Sequence, residues 1–268
     1  MTRRPTPTTR SAFTLIELMV VITIIVLMIA LILPGIQKVR TAGRRAQTGA
    51  DISQLSAAAA SFKQEFKFYP PDNFTIPTTK NASDANNQIL QQMYPRYQLD
   101  QANTNMPSGL ANPGLNLRGI QCLIYFITGP SNTGWAIDAP VAPSLIANLK
   151  KGPFYDHTGT PWVNYLHLDP FGQPYVYFAS TTGQKYGPLP SNILYTGTSP
   201  YGTPNVIPYR DSLGKFVNSD SVQIISSGAD KTFGPGGAWA PGNGLYAEAA
   251  IGADDMANFY GGKQLGAE

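Results

Sequence analysis

A single carboxylate, Glu17, is the only charge in an otherwise apolar run of 21 residues, 13–33, FTLIELMVVITIIVLMIALIL. A helix of about 20 apolar residues spans a bilayer, and a carboxylate inside such a span is costly enough to mark function by default. Glu17 therefore needs a partner. Residues 1–12, MTRRPTPTTRSA, carry Arg3, Arg4 and Arg10 and no acid, and Pro34 closes the run. A cut after Ala12 would leave the chain starting at Phe13. Its free α-amino group would then lie about one helical turn from Glu17, at the same membrane depth. An ordinary secretory signal has a shorter apolar core followed by a small-residue cut site. Here the run is too long and no A-x-A follows it.

The segment SAFTLIELMVV resembles the cleavage site and membrane start of type IV pilins and type II secretion pseudopilins. In that family a prepilin peptidase removes a short basic leader. The first mature residue, usually Phe, is N-methylated, the fifth is Glu, and the twenty-second is often Pro. Counted from Phe13, Glu17 is fifth and Pro34 twenty-second. Ala12 departs from the pattern, since the family usually has Gly before the cut. The resemblance implies a leader in the cytoplasm, a single pass through the bacterial inner membrane, and a head in the periplasm or outside the cell. It implies cleavage and methylation at Ala12 and Phe13, and assembly into a homo-oligomeric filament through Phe13 and Glu17.

Charge is unevenly distributed. Residues 13–69 carry six Lys or Arg against Glu17, Asp51 and Glu65, whereas residues 70–268 carry ten basic and thirteen acidic residues. The head is mildly acidic, so nucleic acid is not an expected partner. Lys38, Arg40, Arg44 and Arg45 follow the span closely and suit contact with anionic lipid head groups. Arginines lie on both sides of the span, so charge bias alone does not orient it. The single cysteine, Cys122, excludes an intrachain disulfide. It lies in an apolar segment, as a buried structural thiol does.

Helical periodicity continues beyond Pro34. Ile36, Val39, Ala42, Ala46, Ala50, Leu55, Ala58, Phe62 and Phe66 fall near one stripe. Gly49 weakens the helix slightly, and Pro34 loosens it without ending it. The expected helix runs from residue 13 to about residue 68, roughly 80 Å at 1.5 Å per residue. Tyr69-Pro70-Pro71 is expected to stop it. Residues 70–268 then hold 20 of the 23 prolines and 23 of the 26 glycines, the composition of a loop-rich head. Short helices are expected at 81–92 and 117–127, strands at 162–168, 174–179 and 221–226, and a turn-rich insertion at 183–205. The organisation is thus a leader (1–12), a transmembrane or filament-core helix (13–34), an amphipathic stem (35–69) and an extracytoplasmic head (70–268). The fold class is α+β. A long N-terminal stem packs on a small antiparallel sheet with extended loops, which the resemblance identifies with the pilin fold.

Two further segments carry the resemblance. Asp169-Pro170-Phe171-Gly172-Gln173-Pro174-Tyr175 is a turn running into a strand, and is similar to the D-P-W-G-N-P-Y segment of the major pseudopilin. Ser226-Ser227-Gly228-Ala229-Asp230, followed by a glycine-rich loop and Asp254-Asp255, resembles the calcium loop of that family. The resemblance implies calcium held by Asp230, Asp254 and Asp255, with Ser227 adding an oxygen. Calcium takes six to eight oxygen ligands, and a cation removes the repulsion between adjacent carboxylates. The stretch from Asp230 to Asp254 is long for the family, and a solvated acidic turn is the alternative.

Other signals carry little. His157 and His167 are the only histidines and lack a zinc-ligand spacing. Gly242-x-Gly244-x-x-Ala247 lacks the strand–turn–helix setting of a dinucleotide fingerprint. No P-loop, HExxH, G-x-S-x-G or EF-hand pattern occurs, and no enzymatic activity is expected. The reading is a structural subunit of a type II secretion pseudopilus-like filament. Its partners would be the prepilin peptidase, the inner-membrane assembly platform, other pseudopilins and membrane lipid. The size of the head keeps a minor subunit open, as well as a pilin for adhesion or DNA uptake. A signal-anchored monomeric binding or enzymatic domain is the rival of a different class.

Overall fold

The computed structural model describes residues 14–77, 84–93, 114–129, 135–136, 150–155, 167–181, 185–186, 206–241 and 251–266. The chain divides into two units, Met1–Gly43 and Arg44–Glu268, and the helix α1 (Leu15–Phe66) contributes to both.

In the first unit α1 is apolar on every side over residues 18–33, and its large apolar side chains are exposed from Leu15 to Val39. It is long and apolar enough to cross a membrane. A helix that is apolar all round is stable only when something outside it covers it. Thr23 is satisfied within the helix. The Thr23 hydroxyl donates to the carbonyls of Met19 and Val20 at 2.9 and 2.8 Å, a local bond open to Ser and Thr in helices. Pro34 lies inside the helix, where it removes one backbone donor without ending the element.

In the second unit the helix becomes one-sided. Thr48, Ile52, Leu55, Ala58, Ala59, Phe62 and Phe66 are buried, spaced by threes and fours as a single face requires. This corrects the expected stripe. Ala42, Ala46 and Ala50 face outward, and Thr48 takes an inward place with its hydroxyl bonded to the Arg44 carbonyl at 2.9 Å. Alanine is a strong helix former on either face, so its spacing says little about direction. Gly49 is explained by contact. A Cβ there would lie 3.3 Å from the carbonyl oxygen of Gly262, so the absent side chain lets the C-terminal chain pass against the helix.

The helix stops before the prolines. Lys67 adopts the left-handed conformation, with φ 71°. Its N–H reaches the Lys63 carbonyl at 2.8 Å, and its Nζ donates to the Gln64 carbonyl at 2.8 Å. These bonds satisfy carbonyls left open at a helix end. The expected stop at Tyr69–Pro71 therefore lies downstream of the residue that ends the helix.

The head mixes short helices and small sheets. The strand β1 (Asn73–Thr75) pairs antiparallel with β2 (Asn116–Arg118). The helix α2 spans Ala85–Met93 and α3 spans Ile120–Thr128. Residues 117–118, expected to be helical, belong to β2 instead, because Gly119 at φ 52° turns the chain between strand and helix. Further pairs are β3 (Trp135–Ala136) with β4 (Lys150–Lys151), antiparallel, and β7 (Ile207–Arg210) with β9 (Gly236–Ala238), parallel. The largest sheet is antiparallel. It combines β5 (Val176–Thr181), β6 (Lys185–Tyr186), β8 (Val222–Ser226) and β10 (Met256–Ala257) in the order β10-β8-β5-β6. Tyr177 stands opposite Ile224. The strands expected at 174–179 and 221–226 are thus present as β5 and β8. Of the strand expected at 162–168, residues 162–166 lie outside the described residues, as do residues 81–83 and most of 183–205.

One apolar core joins α1, α3 and the sheet. Phe62 meets Phe126 of α3 edge-to-face at 5.7 Å and Phe154 at 5.8 Å, geometries that favour aromatic pairs. α3 is buried along its whole length, and all of its residues but Gln121 and Thr128 are apolar or aromatic. Two side-chain amides, one buried and one half-buried, tie β8 to its surroundings. Gln223 accepts from the Tyr209 N–H at 2.8 Å and donates to the carbonyls of Tyr209 and Val217. Asn258 accepts from the Ile224 N–H at 3.0 Å and donates to the Val222 carbonyl at 3.0 Å.

Candidate functional site

Two places carry the expected chemistry. At the start of α1, the Glu17 N–H donates to Thr14 Oγ1 at 3.3 Å. The Thr14 N–H and hydroxyl both donate to Glu17 Oε2, at 2.9 and 2.8 Å. This reciprocal arrangement is a capping box, in which Thr and Glu three residues apart satisfy backbone donors at a helix start. Glu17 Oε1 takes part in none of these bonds. The T-x-x-E spacing of Thr14 and Glu17 is the local sequence signature of this cap. Ala12 and Phe13 lie outside the described residues.

The second place is the end of β8. The turn that begins at Asp169 docks here. Asp169 Oδ1 accepts from the N–H groups of Phe171 and Gln173 at 3.0 and 2.9 Å, and Oδ2 accepts from the Ser226 hydroxyl at 2.6 Å. Burial raises the Asp169 pKa, and these bonds oppose the rise. Gly172, at φ 86°, supplies the left-handed backbone of the turn. The two tyrosines that follow both reach the stem side. The Tyr175 hydroxyl donates to Asp51 Oδ2 at 3.3 Å and the Tyr177 hydroxyl to the Pro70 carbonyl at 2.6 Å. The D-P-F-G-Q-P-Y segment thus fastens the sheet to the helix and its exit.

Beyond Ser226 the chain turns through Gly228, at φ 67°, where a Cβ would overlap the Asp254 carbonyl. Only glycine fits that approach. The Asp230 N–H donates to Asp254 Oδ2 at 2.9 Å, and Asp230 Oδ1 accepts from the Thr232 N–H at 2.7 Å. Burial is the largest cause raising the Asp230 pKa, and Asp254 adds to it. Asp255 has a different setting. It is fully buried, and its Oδ2 accepts from the Gly234 N–H at 2.8 Å and the Tyr209 hydroxyl at 3.3 Å. Burial pushes its pKa up to about 8, against the lowering effect of the Gly234 bond, with Asp254 raising it further. Its Oδ1 and the hydroxyl of Ser227 are buried without a hydrogen-bond partner.

The structure therefore brings Asp230 and Asp254 together and sets Asp255 into the interior. Among the described residues no three His, Cys, Asp or Glu side chains group closely enough to hold a metal by themselves. His167 is buried and stacks on the Tyr175 ring at 5.4 Å, while His157 and residues 242–247 lie outside the described residues. Cys122 is buried, and burial raises its thiol pKa well above the usual value. That disfavours the reactive thiolate.

No family model, curated protein or solved structure matches the chain.

Proposed function

We propose that this chain is a pilin-like structural subunit of the kind that forms type II secretion pseudopili. In this reading a prepilin peptidase cuts between Ala12 and Phe13 and methylates the new amino group. The subunit then sits in the bacterial inner membrane with its head outside the cytoplasm. An assembly platform draws it into a filament whose core is the N-terminal helices. The subunit catalyses nothing, and a separate cytoplasmic ATPase supplies the energy.

One observation carries the reading. A single helix, Leu15–Phe66, is apolar and uncovered along its first part and built into an α+β head along its second. Its one early charge is Glu17. A membrane can cover such a surface, and so can copies of the same helix, and a subunit that moves from one to the other uses both. The Glu17 carboxylate would meet the Phe13 ammonium of a neighbour and set the register between copies, within an assembly driven mainly by apolar packing.

The loop after β8 suits a calcium ion as a stabiliser of the head. Its donors are oxygens, the class calcium takes, and two of them, Asp255 Oδ1 and the Ser227 hydroxyl, are buried without partners. Asp230 and Asp254 would supply carboxylates and the glycine-rich backbone carbonyls. Bound there, the cation would neutralise the carboxylates and tie the loop to the end of β8.

Expression with a prepilin peptidase and a pseudopilus assembly platform tests the reading. The expected result is sheared filaments that contain this chain. A chain that stays in the membrane fraction as a monomer under those conditions would favour the anchored binding or enzymatic domain instead.

A further inference from the structure

Lys38, Arg40, Arg44 and Arg45 follow the apolar part of α1, and the structure divides them into two pairs. Arg44 lies over the Phe171 ring at 6.0 Å. Arg45 is half-buried, and its Nε is shut off from solvent. These two are taken up in the second unit. Lys38 and Arg40 are exposed, and among the described residues neither makes a hydrogen bond, an ion pair or a ring contact. With Leu33 at the edge of the hydrocarbon, they lie about 7.5 and 10.5 Å beyond it along the helix axis. The head-group layer is about 5–8 Å thick on each side of a bilayer, and both side chains are long enough to reach back into it. Two positions apart, they leave the helix about 200° from one another, on nearly opposite sides.

We propose that Lys38 and Arg40 bind the phosphate groups of anionic phospholipids and so hold back the withdrawal of the subunit into a filament. The second half of this rests on the filament reading. Two observations favour lipid as the partner. Cations on opposite sides of a helix suit a layer that surrounds it, whereas a protein partner would meet one side. Both also stand on the head side of the span. In the proposed topology that side is outside the cytoplasm, where Lys and Arg next to a span are scarce, so these two do not serve to orient the chain. A cation near an anionic bilayer surface favours binding about fivefold. Withdrawal of the helix from the bilayer takes both cations out of the head-group layer and loses that gain. The contacts therefore act as a brake whose strength follows the anionic lipid content.

The test uses the full chain in two settings. In vesicles of phosphatidylcholine with a minority of phosphatidylglycerol, electron spin resonance of spin-labelled lipids reads which lipid the protein prefers. The parent is expected to prefer the anionic lipid about fivefold, and the double variant Lys38→Gln, Arg40→Gln to lose most of that preference. Glutamine keeps the helix. The swap Lys38→Arg, Arg40→Lys keeps both charges and is expected to match the parent. High salt should weaken the preference, and inorganic phosphate at matched ionic strength should leave it unchanged. Equal preference in the parent and the glutamine variant overturns the proposal, and so does loss of the preference to inorganic phosphate, which would make free phosphate the ligand. Filament yield is then compared in host membranes with normal and depleted anionic phospholipid. Depletion is expected to raise the parent's yield about fivefold and to leave the glutamine variant unchanged. A parent that does not respond, or a variant that responds equally, overturns the brake. A role in contacts between copies would instead shift yield alike in both membranes. A parent that forms no filaments removes the filament reading and the brake with it, and the lipid preference then decides the head-group site by itself.

Discussion

Glu17→Ala subunits should yield at least about tenfold fewer filaments than the parent while still reaching the membrane, because an interaction made only between copies is lost without loss of the apolar span. The substitution removes two things together: the charge offered to a neighbour, and the acceptor that closes the ring with Thr14. Glu17→Gln separates them. Its amide oxygen still accepts from Thr14, so the helix start survives, but the negative charge is gone. If charge pairing between copies sets the register, the glutamine variant should assemble as poorly as the alanine variant. If the cap alone matters, glutamine should assemble nearly as well as the parent. Filaments at normal yield from both variants would show that the pairing idea is wrong. Yield measured by shearing and sedimentation, with membrane content as control, distinguishes these results.

The second large effect is on the stability of the head as pH changes. Asp255 is raised from 3.8 to about 8, chiefly by burial, so the folded state holds a proton that the unfolded state releases. The stability this contributes is fully present below the unfolded pKa and is lost as pH rises through the folded one. Asp72 acts in the same direction, but only up to about 6. The window between about 6 and about 8 therefore belongs mainly to Asp255. Across it, stability should fall by up to about 1.4 kcal/mol per pH unit in the absence of divalent cations. Asp255→Asn, which cannot ionise, should flatten that slope. If calcium binds the loop, adding it at the alkaline end should restore the stability lost by the parent, since the cation replaces the proton. Urea midpoints for the full chain in detergent, with chelator and with calcium, give all three results. An equal midpoint at both ends of the window without cation would contradict the buried, proton-holding Asp255. No gain on adding calcium would contradict the cation.

Much of the architecture was legible because it rests on periodicity. The apolar run, its change to a one-sided stripe, and the strands β5 and β8 follow from side-chain spacing, which the sequence states directly. Details set by single backbone conformations were not legible. Lys67 ends α1 in a left-handed conformation that lysine rarely adopts, whereas the helix-stopping chemistry plain in the sequence belongs to the prolines three residues later. The alanines at 42, 46 and 50 gave a false inward face because alanine tolerates either environment. Gly119 splits an apolar stretch into strand and helix, and nothing in its immediate neighbours announces the break.

The candidate site divides in the same way. Asp230 and Asp254 lie far apart in the chain and are joined by a hydrogen bond, an approach that their local sequence does not state. Asp255, next in the chain, turns inward to partners brought from Tyr209 and Gly234. Those contacts depend on how β7 and the glycine-rich loop pack, which local sequence does not encode. The Asp169 turn was readable as a turn, but its grip on Ser226 required the tertiary fold. At the helix start the reverse holds. The spacing of Thr14 and Glu17 is a local signature, and the cap it encodes needs no tertiary contact.

The most direct measurement is the mass of the N-terminal peptide of the protein recovered from membranes of a host with an active prepilin peptidase. The account expects a chain that begins at Phe13 and carries one added methyl group. A chain that retains residues 1–12 in that host would contradict it, because no free amino group would then lie beside Glu17.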